Sequence, residues 1–269
     1  MAIVKGFLQM TGSIKGVSFY TRRGSDKVIM RTKGGVTKEK MATAPQYDGL
    51  RKNQTEFSGS SKFASVTKSA LGGLKRLADY NLSATLSGIG KNLLKLDTES
   101  ELGQRRILLS KHKQVLDGFN FNRNYPFNTV LRVGITALMD REKLLATMTI
   151  PHINTDIDLV NIQRLPYFRI IAVIGTVADM YYDTTEKAYV PAILELHGVS
   201  TVNNGAWYPS QTIVPEHTMT VQMTEAQQAL LTDDITVLLS MAVEFGTVGF
   251  AGETVEVKYA GCGKIVSSR

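Results

Sequence analysis

The sequence predicts an α+β protein with a small antiparallel sheet and arm at the N-terminus, a central helical segment, and a C-terminal antiparallel β-sandwich or barrel. Three successive patterns predict this fold: short β-branched and aromatic runs separated by glycines, apolar residues spaced by three and four, and a series of strand-like runs between turn residues. We therefore divide the chain into a basic strand unit with an extended arm (1–59), a helical segment (60–118) and a β-sandwich-like domain (119–269).

The N-terminal unit has three predicted strands, at 3–10, 14–20 and 27–32, which are separated by polar or glycine-containing turns. Strands this short bury little apolar surface by themselves, so the sheet is expected to pack on the rest of its own chain or on another copy. Residues 36–59 are polar and have no clear hydrophobic period, and they are predicted to form an extended arm.

Three helices are predicted in the central segment. Apolar residues recur at three and four over 63–77, and the same spacing defines a second helix over 82–93. A third helix is expected to begin at Thr98, because Thr98 and Glu101 have the spacing of a capping box. Gly118 is well placed to end this third helix.

The C-terminal domain is predicted to consist mainly of strands. The run over 235–245 is almost continuously apolar, so it is expected to be a central strand. A short helix is expected after Thr224, because Thr224 and Gln227 have the spacing of a capping box. The predicted strands are 130–138, 144–150, 167–178, 189–196, 218–223, 235–245 and 254–259.

Charge is distributed unevenly along the chain. Residues 1–125 contain 22 Lys and Arg against 9 Asp and Glu, a net charge of +13, whereas residues 126–269 contain 9 against 15, a net charge of −6. Basic side chains neutralise phosphates, and Phe19, Tyr20 and Tyr47 are candidates for stacking on bases, so nucleic acid is one candidate partner. The basic residues are spread over strands, connector and helices rather than gathered in one block, which is more typical of solvated faces than of a nucleic-acid site.

Composition limits the cellular setting. No apolar run approaches the roughly 20 residues of a membrane-spanning helix, and the N-terminus has no secretory signal pattern. The protein is therefore expected to be cytoplasmic at synthesis, with extracellular or virion assembly left open. Its single cysteine, Cys262, excludes an internal disulfide.

No catalytic, cofactor-binding or metal site is predicted, so the protein is not expected to be an enzyme. Residues 87–91 lack the spacing of a phosphate-binding loop and are interpreted as a helix with a packing glycine. Asp156 and Asp158 would point to one side of an extended segment and hold a hard cation, or they form an exposed loop rim. Trp207 and Tyr208 form either a sugar-binding face or part of an inter-strand loop.

The opening of the chain combines a glycine-punctuated hairpin, a basic strand and a polar stretch that leads into a helix. The residues that carry these features are Gly6, Gly12, Gly16, Ser18, Phe19, Tyr20, Arg31, Gly34, Gly35, Arg51, Asn53 and Phe57. Through these residues, the first quarter of the chain resembles a family of uncharacterised proteins from Bacteroidota genomes. The resemblance implies no activity, cofactor or site residue, and it favours a non-enzymatic protein.

The hypothesis that best fits these patterns is a self-assembling structural protein, the subunit of a filament, tube or shell. Its basic N-terminal arm would dock on the acidic β-domain of a neighbouring copy, by strand addition or by surface packing. The alternative is a basic module that binds nucleic acid or another polyanion. The residues expected to anchor the assembly interface are Phe7, Val17, Phe19, Val28 and Met30.

Overall fold

The computed structural model of the protein describes residues 2–4, 11–21, 27–32 and 35–269. The chain divides into two compact units, Met1–Arg51 and Lys52–Arg269. Helices and antiparallel strands occur together in the chain, which confirms the predicted α+β class. Among the described residues, no helix combines the length and the apolar character needed to cross a membrane.

The first unit contains a four-stranded antiparallel sheet with the order β1-β4-β3-β2. Lys15 and Gly16 have φ angles of 40° and 81° and form the tight turn between two of these strands, which divides the strand predicted over 14–20. Of the predicted strand 3–10, residues 5–10 lie outside the described residues. The strands are β1 (Ala2–Val4), β2 (Gly12–Ile14), β3 (Val17–Thr21) and β4 (Val28–Thr32).

Residues 36–59, predicted to form an extended arm, are largely helical. Helix α1 (Lys38–Thr43) lies in the first unit, and helix α2 (Asp48–Ala70) begins well before the predicted start of the helical segment. The sequence pattern does not reveal the early turns of α2 because their buried face consists of polar or small residues such as Glu56 and Gly59. Burial of a helix face therefore occurs here without an apolar stripe.

The second predicted helix, over 82–93, is present, whereas α2 ends at Ala70 and covers only part of the first predicted helix, over 63–77. Helix α2 is followed by Gly72 and Gly73, whose left-handed φ angles of 57° and 86° end the helix. Helix α3 (Leu82–Leu96) begins at the N-cap Asn81, whose side-chain oxygen accepts a backbone hydrogen bond of 3.0 Å. The shorter helical turns are the 3-10 helices Pro45–Tyr47, Leu74–Leu77 and Lys113–Leu116, and the helices α4 (Phe127–Val130), α5 (Thr155–Asp158) and α6 (Glu225–Gln228).

The prediction of a third helix that begins at Thr98 is wrong. From Thr98 the chain is irregular up to the 3-10 helix Lys113–Leu116. Two buried carboxylates explain the difference. The backbone N–H of Gly103 donates to the Glu56 carboxylate at 3.0 Å, and the backbone N–H of Arg106 donates to Asp97 at 2.7 Å. Because tertiary partners satisfy these donors, the segment is stable without helical hydrogen bonds.

The second unit is built on a central antiparallel sheet with the strand order β11-β8-β15-β16, and β12 also pairs with β8. A three-stranded sheet has the order β14-β6-β5, while β9 pairs with β10 and β7 with β13. The strands are β5 (Thr136–Asp140), β6 (Leu145–Ile150), β7 (Ile153–Asn154), β8 (Tyr167–Ala178), β9 (Met180–Asp183), β10 (Ala188–Pro191), β11 (Ser200–Asn204), β12 (Tyr208–Pro209), β13 (Ile213–Val214), β14 (His217–Gln222), β15 (Ile235–Val248) and β16 (Thr254–Ser268).

Several local predictions are confirmed in this unit. Strand β8 has the predicted bounds 167–178, and β15 is a central strand that is buried from Ile235 to Gly246. The capping box of α6 is present: the Thr224 hydroxyl accepts a hydrogen bond from the backbone N–H of Gln227, and the Gln227 side chain accepts one from that of Thr224. The patterns that predict these elements lie within short stretches of sequence, which is why they can be recognised without the tertiary structure.

Two hydrophobic clusters lie on opposite faces of β8 and β15, because alternate residues of a strand point to opposite sides. One cluster contains Ile170 and Ile174 together with Met148 of β6, so it joins the central sheet to the three-stranded sheet. The other contains Ile171 and Val173 and packs against α2 and α3. The central sheet thus lies between a second sheet and a helical layer, and these antiparallel sheets are not closed into a barrel.

Candidate assembly interface

Four predicted anchor residues lie on one face of the N-terminal sheet. Strand pairing matches Phe19 of β3 with Met30 of β4, and directly paired residues project to the same side. Alternate residues along each strand share that side. Phe7, the fifth predicted anchor, lies outside the described residues. We call this surface the candidate assembly face, and its residues are Ile14, Val17, Phe19, Val28 and Met30.

The candidate assembly face is incompletely buried. Ile14 is 59% exposed, whereas Val17, Phe19 and Met30 are half-buried. Among the described residues of β2, β3 and β4, Val28 alone is fully buried. Covering apolar surface contributes roughly 25 cal/mol per Å² to association, so burying the exposed part of this face would be favourable.

The net charge of the chain lies in the first unit. Met1–Arg51 contains 10 Lys and Arg against 3 Asp and Glu, a net charge of +7, whereas Lys52–Arg269 contains 21 of each and has no net charge. The division of the sequence at residue 125 identifies a basic half, but the compact units show that the whole excess belongs to about a fifth of the chain. The sequence patterns did not reveal this distribution of charge, because the boundary between the two units is set by tertiary contacts.

The acidic excess of residues 126–269 faces largely outward. Asp179 and Glu244 are buried, with 1% and 0% exposure, and every other Asp and Glu of this range is at least partly exposed. Asp233 and Asp234, for example, are both exposed. Residues 126–269 therefore present an excess of carboxylates over basic groups at the surface, although the second unit as a whole has no net charge.

A buried ion cluster centres on Glu244 of β15. One carboxylate oxygen accepts hydrogen bonds from Arg169 at 2.9 and 2.6 Å, and the other accepts one from Arg76 at 2.9 Å. The Arg169 guanidinium also lies 4.4 Å from the ring centroid of Trp207. Both carboxylate oxygens are engaged, so the cluster ties the 3-10 turn Leu74–Leu77 to the central sheet rather than offering a free acid. A charged residue within an otherwise apolar strand is the sequence signal for it.

Two more ion pairs hold the irregular segment that replaces the third predicted helix. Glu56 accepts two hydrogen bonds of 2.7 Å from Arg105, and Asp97 accepts bonds of 3.0 and 3.1 Å from Arg106. Burial opposes ionisation of Glu56, but the hydrogen bonds from Arg105 and Gly103 outweigh it and lower the pKa of this carboxyl. Hydrogen bonds from Arg106 likewise hold the pKa of Asp97 far below its ordinary value. Both acids are therefore stabilised as anions.

Asp179 anchors the same segment to the end of β8. Its carboxylate accepts hydrogen bonds from the backbone N–H of Ser110 at 2.9 Å and from the Ser110 hydroxyl at 2.5 Å. Burial raises the pKa of Asp179, and the bonds from Ser110 only partly oppose that shift. Asp179 therefore has the geometry of a structural anchor, because both of these hydrogen bonds come from Ser110.

The structure does not form the cation site considered for Asp156 and Asp158. Both residues lie in the short helix α5, so they do not have the extended geometry that would point them to one side. The Asp158 carboxylate instead accepts a hydrogen bond of 2.9 Å from the backbone N–H of Asn154. In the described ranges, no group of three or more His, Cys, Asp or Glu is placed to hold a metal ion.

Residues 87–91 are helical and lie within α3, which confirms the interpretation as a helix with a packing glycine. A Cβ added at Gly90 would stand 2.9 Å from the ring of Phe63 in α2. The glycine therefore allows the two helices to approach closely. Gly88, by contrast, faces open space.

The remaining side chains considered for chemistry are half-buried or buried in the second unit. Trp207 lies between β11 and β12, as the inter-strand interpretation expects, and its ring faces the Arg169 guanidinium. Tyr208 instead belongs to β12 and packs against Phe168 with ring centroids 5.9 Å apart. Cys262 is fully buried, and burial raises the pKa of its thiol to about 12. The thiol is therefore neutral at physiological pH.

His197 gives the stability of the protein a pH dependence. Its Nδ1 atom is buried without a hydrogen-bond partner among the described residues, and burial lowers the pKa of the ring to about 4. An unfolded histidine titrates near pH 6.5, so the folded state binds fewer protons between the two values. The contribution of His197 to stability is therefore complete above about pH 6.5 and is lost as the pH falls towards 4.

The substitution His197→Gln is expected to reduce the loss of stability between pH 6.5 and pH 4, because it removes this titrating group. Urea unfolding at a series of pH values measures the slope. His152→Gln is the matched control, since His152 is exposed. If His197→Gln and His152→Gln give the same pH slope as the wild type, the assignment to His197 is wrong.

No protein-family model, curated protein or solved structure matches this chain. Inferences about function therefore rest on three features of this chain itself. They are the candidate assembly face, the net charge of the first unit and the outward-facing carboxylates of residues 126–269. The sequence analysis selected four residues of this face, but it did not reveal the ion clusters that organise the second unit.

Proposed function

We propose that this protein is a self-assembling structural subunit whose N-terminal sheet docks on the acidic β-domain, residues 126–269, of a neighbouring copy. The observation that carries the proposal is the candidate assembly face, whose apolar side chains are incompletely buried. The sheet consists of four strands of three to five residues. So small a sheet gains stability when a partner covers its apolar face.

Charge supports this choice of partner. The first unit has a net charge of +7, and the acidic excess of residues 126–269 faces largely outward. Opposite charges accelerate and orient the encounter, whereas the apolar face supplies most of the affinity. The two surfaces are different, so the contact is head-to-tail and generates rings or open filaments. A filament, tube or shell subunit is the class of protein that uses such a contact.

The docking surface belongs to a unit with the layering of a β-sandwich. We propose that the three-stranded sheet and the central sheet, which share one hydrophobic cluster, form a sandwich-like scaffold. Such a scaffold holds its surface carboxylates at fixed positions, because both sheets are pinned by a common core. The N-terminal sheet of a neighbour would then meet a surface that changes little on binding.

The substitution Phe19→Lys is expected to weaken assembly about 10- to 100-fold, because it places a cation in the centre of the candidate assembly face. Tyr20→Lys is the matched control: Tyr20 is the next residue of β3, is also half-buried and projects to the opposite side. Sedimentation velocity over a range of concentrations measures association, and circular dichroism checks folding. Deletion of residues 1–35 is expected to weaken assembly at least as much as Phe19→Lys does, and to leave the second unit folded.

Two outcomes would contradict the proposal. One is a wild-type chain that remains monomeric at every concentration. The other is an equal effect of Phe19→Lys and Tyr20→Lys, which would mean that the apolar face has no special role in the contact.

A second candidate function is binding to nucleic acid or another polyanion. The observation that favours it is the confinement of the net charge of +7 to Met1–Arg51. Binding of this kind weakens steeply with salt, with a log–log slope set by the number of phosphates contacted. Size-exclusion chromatography with and without nuclease separates the two functions: assemblies that survive nuclease support self-assembly, and assemblies that dissolve support bridging by nucleic acid.

A further inference from the structure

The hairpin of β15 and β16 extends beyond its neighbour in the central sheet. Strand β8 pairs with β15 only as far as Gly246, whereas β15 and β16 remain paired up to Val248 and Thr254. We call residues 247–254 the hairpin tip. Phe250 at this tip is fully exposed, and Val248 is 53% exposed. An exposed aromatic side chain on a projecting hairpin is the kind of group that anchors protein contacts.

The hairpin tip also carries a negative charge. The carboxylate of Glu253 lies beside Gly249, such that a Cβ added at this glycine would stand 2.7 Å from a carboxylate oxygen. The tip therefore presents an aromatic ring and a carboxylate from the same turn. A surface that receives it must combine apolar side chains with a cation.

The second unit carries a cleft of this chemistry. It has a volume of about 330 Å³ and lies between α4, the segment that follows α4, and the middle of β15 and β16. We call it the basic cleft. Its cations are Arg132 and Lys264, and its apolar lining includes Leu131, Ile135, Met241 and Val266.

Lys264 makes the basic cleft suitable for an anion. Its ammonium group donates a hydrogen bond of 2.7 Å to the side-chain oxygen of Asn128 and lies 5.0 Å from the ring centroid of Phe127. The side chain is half-buried, and burial lowers the pKa of the amine. Among the described residues, no carboxylate lies within ion-pair distance of it. A partly desolvated cation without a counter-charge gains from an incoming carboxylate.

The hairpin tip cannot fill the basic cleft of its own chain. Met241 lines the cleft and Val248 lies at the tip, and both belong to the same continuous strand. From one to the other the strand advances roughly 23 Å at its usual rise per residue. A tip that occupies a basic cleft must therefore come from another molecule.

We propose that the hairpin tip of one copy inserts Phe250 into the basic cleft of a second copy, with Glu253 placed against Lys264. The contact joins two unlike surfaces, so it propagates head-to-tail. It deepens the proposed function, on which it rests, by adding a second contact between copies. It involves residues of the second unit alone, so it can be tested apart from the N-terminal sheet.

The first experiment uses the full chain carrying Phe19→Lys, which removes the N-terminal contact. Sedimentation velocity is expected to show concentration-dependent association of this chain. Adding Phe250→Ala is expected to weaken that association about 10- to 100-fold. Adding Leu194→Ala, which truncates a 72% exposed side chain elsewhere, is the matched control and is expected to change it by less than about twofold.

The second experiment mixes two variants in the same Phe19→Lys background. Lys264→Glu removes the cation of the basic cleft and opposes Glu253, and Arg132→Glu serves in its place if the first variant does not fold. Each variant alone is expected to associate at least about tenfold more weakly than its parent. An equimolar mixture of Phe250→Ala chains, with an intact cleft, and Lys264→Glu chains, with an intact tip, is expected to form 1:1 dimers and nothing larger.

Two results would overturn the contact between tip and cleft and leave the N-terminal proposal standing: a monomeric Phe19→Lys chain, or a Phe250→Ala chain that associates as strongly as its parent. The opposite pattern separates the two ideas. If Phe19→Lys has no effect in an otherwise wild-type chain and Phe250→Ala abolishes association, the N-terminal contact fails and the contact between tip and cleft is supported.

Discussion

Replacing Gly175 with alanine is expected to destabilise the second unit by about 3 kcal/mol or more. Gly175 lies in β8 beneath the end of α2, and a Cβ at this position would stand 1.9 Å from the carbonyl oxygen of Ala70. The obstacle is backbone, so it cannot rotate aside as a side chain can. Either the helix end or the strand must shift, and each belongs to a close-packed core that resists the movement.

Gly88→Ala is the matched control for this prediction. Nothing lies within 4 Å of a Cβ added at Gly88, which is an interior position of α3. Alanine there is expected to stabilise the protein by about 0.5–1 kcal/mol, because glycine loses more conformational freedom in a helix. Thermal unfolding followed by circular dichroism should therefore shift in opposite directions for the two substitutions. A Gly175→Ala protein within about 1 kcal/mol of the wild type would contradict the close approach of α2 to β8.

The second large effect is expected for Glu244→Gln, with a loss of about 3–5 kcal/mol in the free energy of unfolding. The Glu244 side chain is fully buried, and it holds Arg169, whose side chain is only 14% exposed, and Arg76. Removing the anion leaves a largely buried cation without a counter-charge. Glu256→Gln is the control, because Glu256 is an exposed carboxylate on the neighbouring strand. Urea unfolding measures both variants.

A double-mutant cycle tests whether this loss comes from the unpaired arginine. In the Glu244→Gln background, Arg169→Met is expected to cost at least about 1 kcal/mol less than it does in the wild type, since the pair is already broken. Additive effects of the two substitutions would show that Glu244 and Arg169 contribute independently. That result would contradict the description of the cluster as a coupled unit.

Much of the second unit follows from local sequence patterns. The apolar run over 167–178 became a strand with those bounds, and the capping box at Thr224 and Gln227 formed as predicted. Period-two and period-3.6 patterns reflect burial of one face, which neighbouring residues define by themselves. In the early turns of α2 the buried face is polar or small rather than apolar, so hydrophobic periodicity did not predict the helix there.

The candidate assembly face was predictable in composition but not in arrangement. Val17, Phe19, Val28 and Met30 were identified as apolar residues of short strands, and the pairing of β3 with β4 places them on one side. A one-residue change of register would have divided them between two faces. Register depends on pairing between separate segments, so the sequence alone leaves it open.

The amino-acid sequence by itself determined the α+β class, the central strands and the apolar residues of the N-terminal sheet. The tertiary structure decided what happens where a polar group needs a distant partner: Glu56 meets Gly103 across 47 residues, and Arg76 meets Glu244 across 168. Hydrophobic periodicity is a local property that a short window contains. A buried charge is stable only beside its partner, and folding brings that partner from elsewhere in the chain.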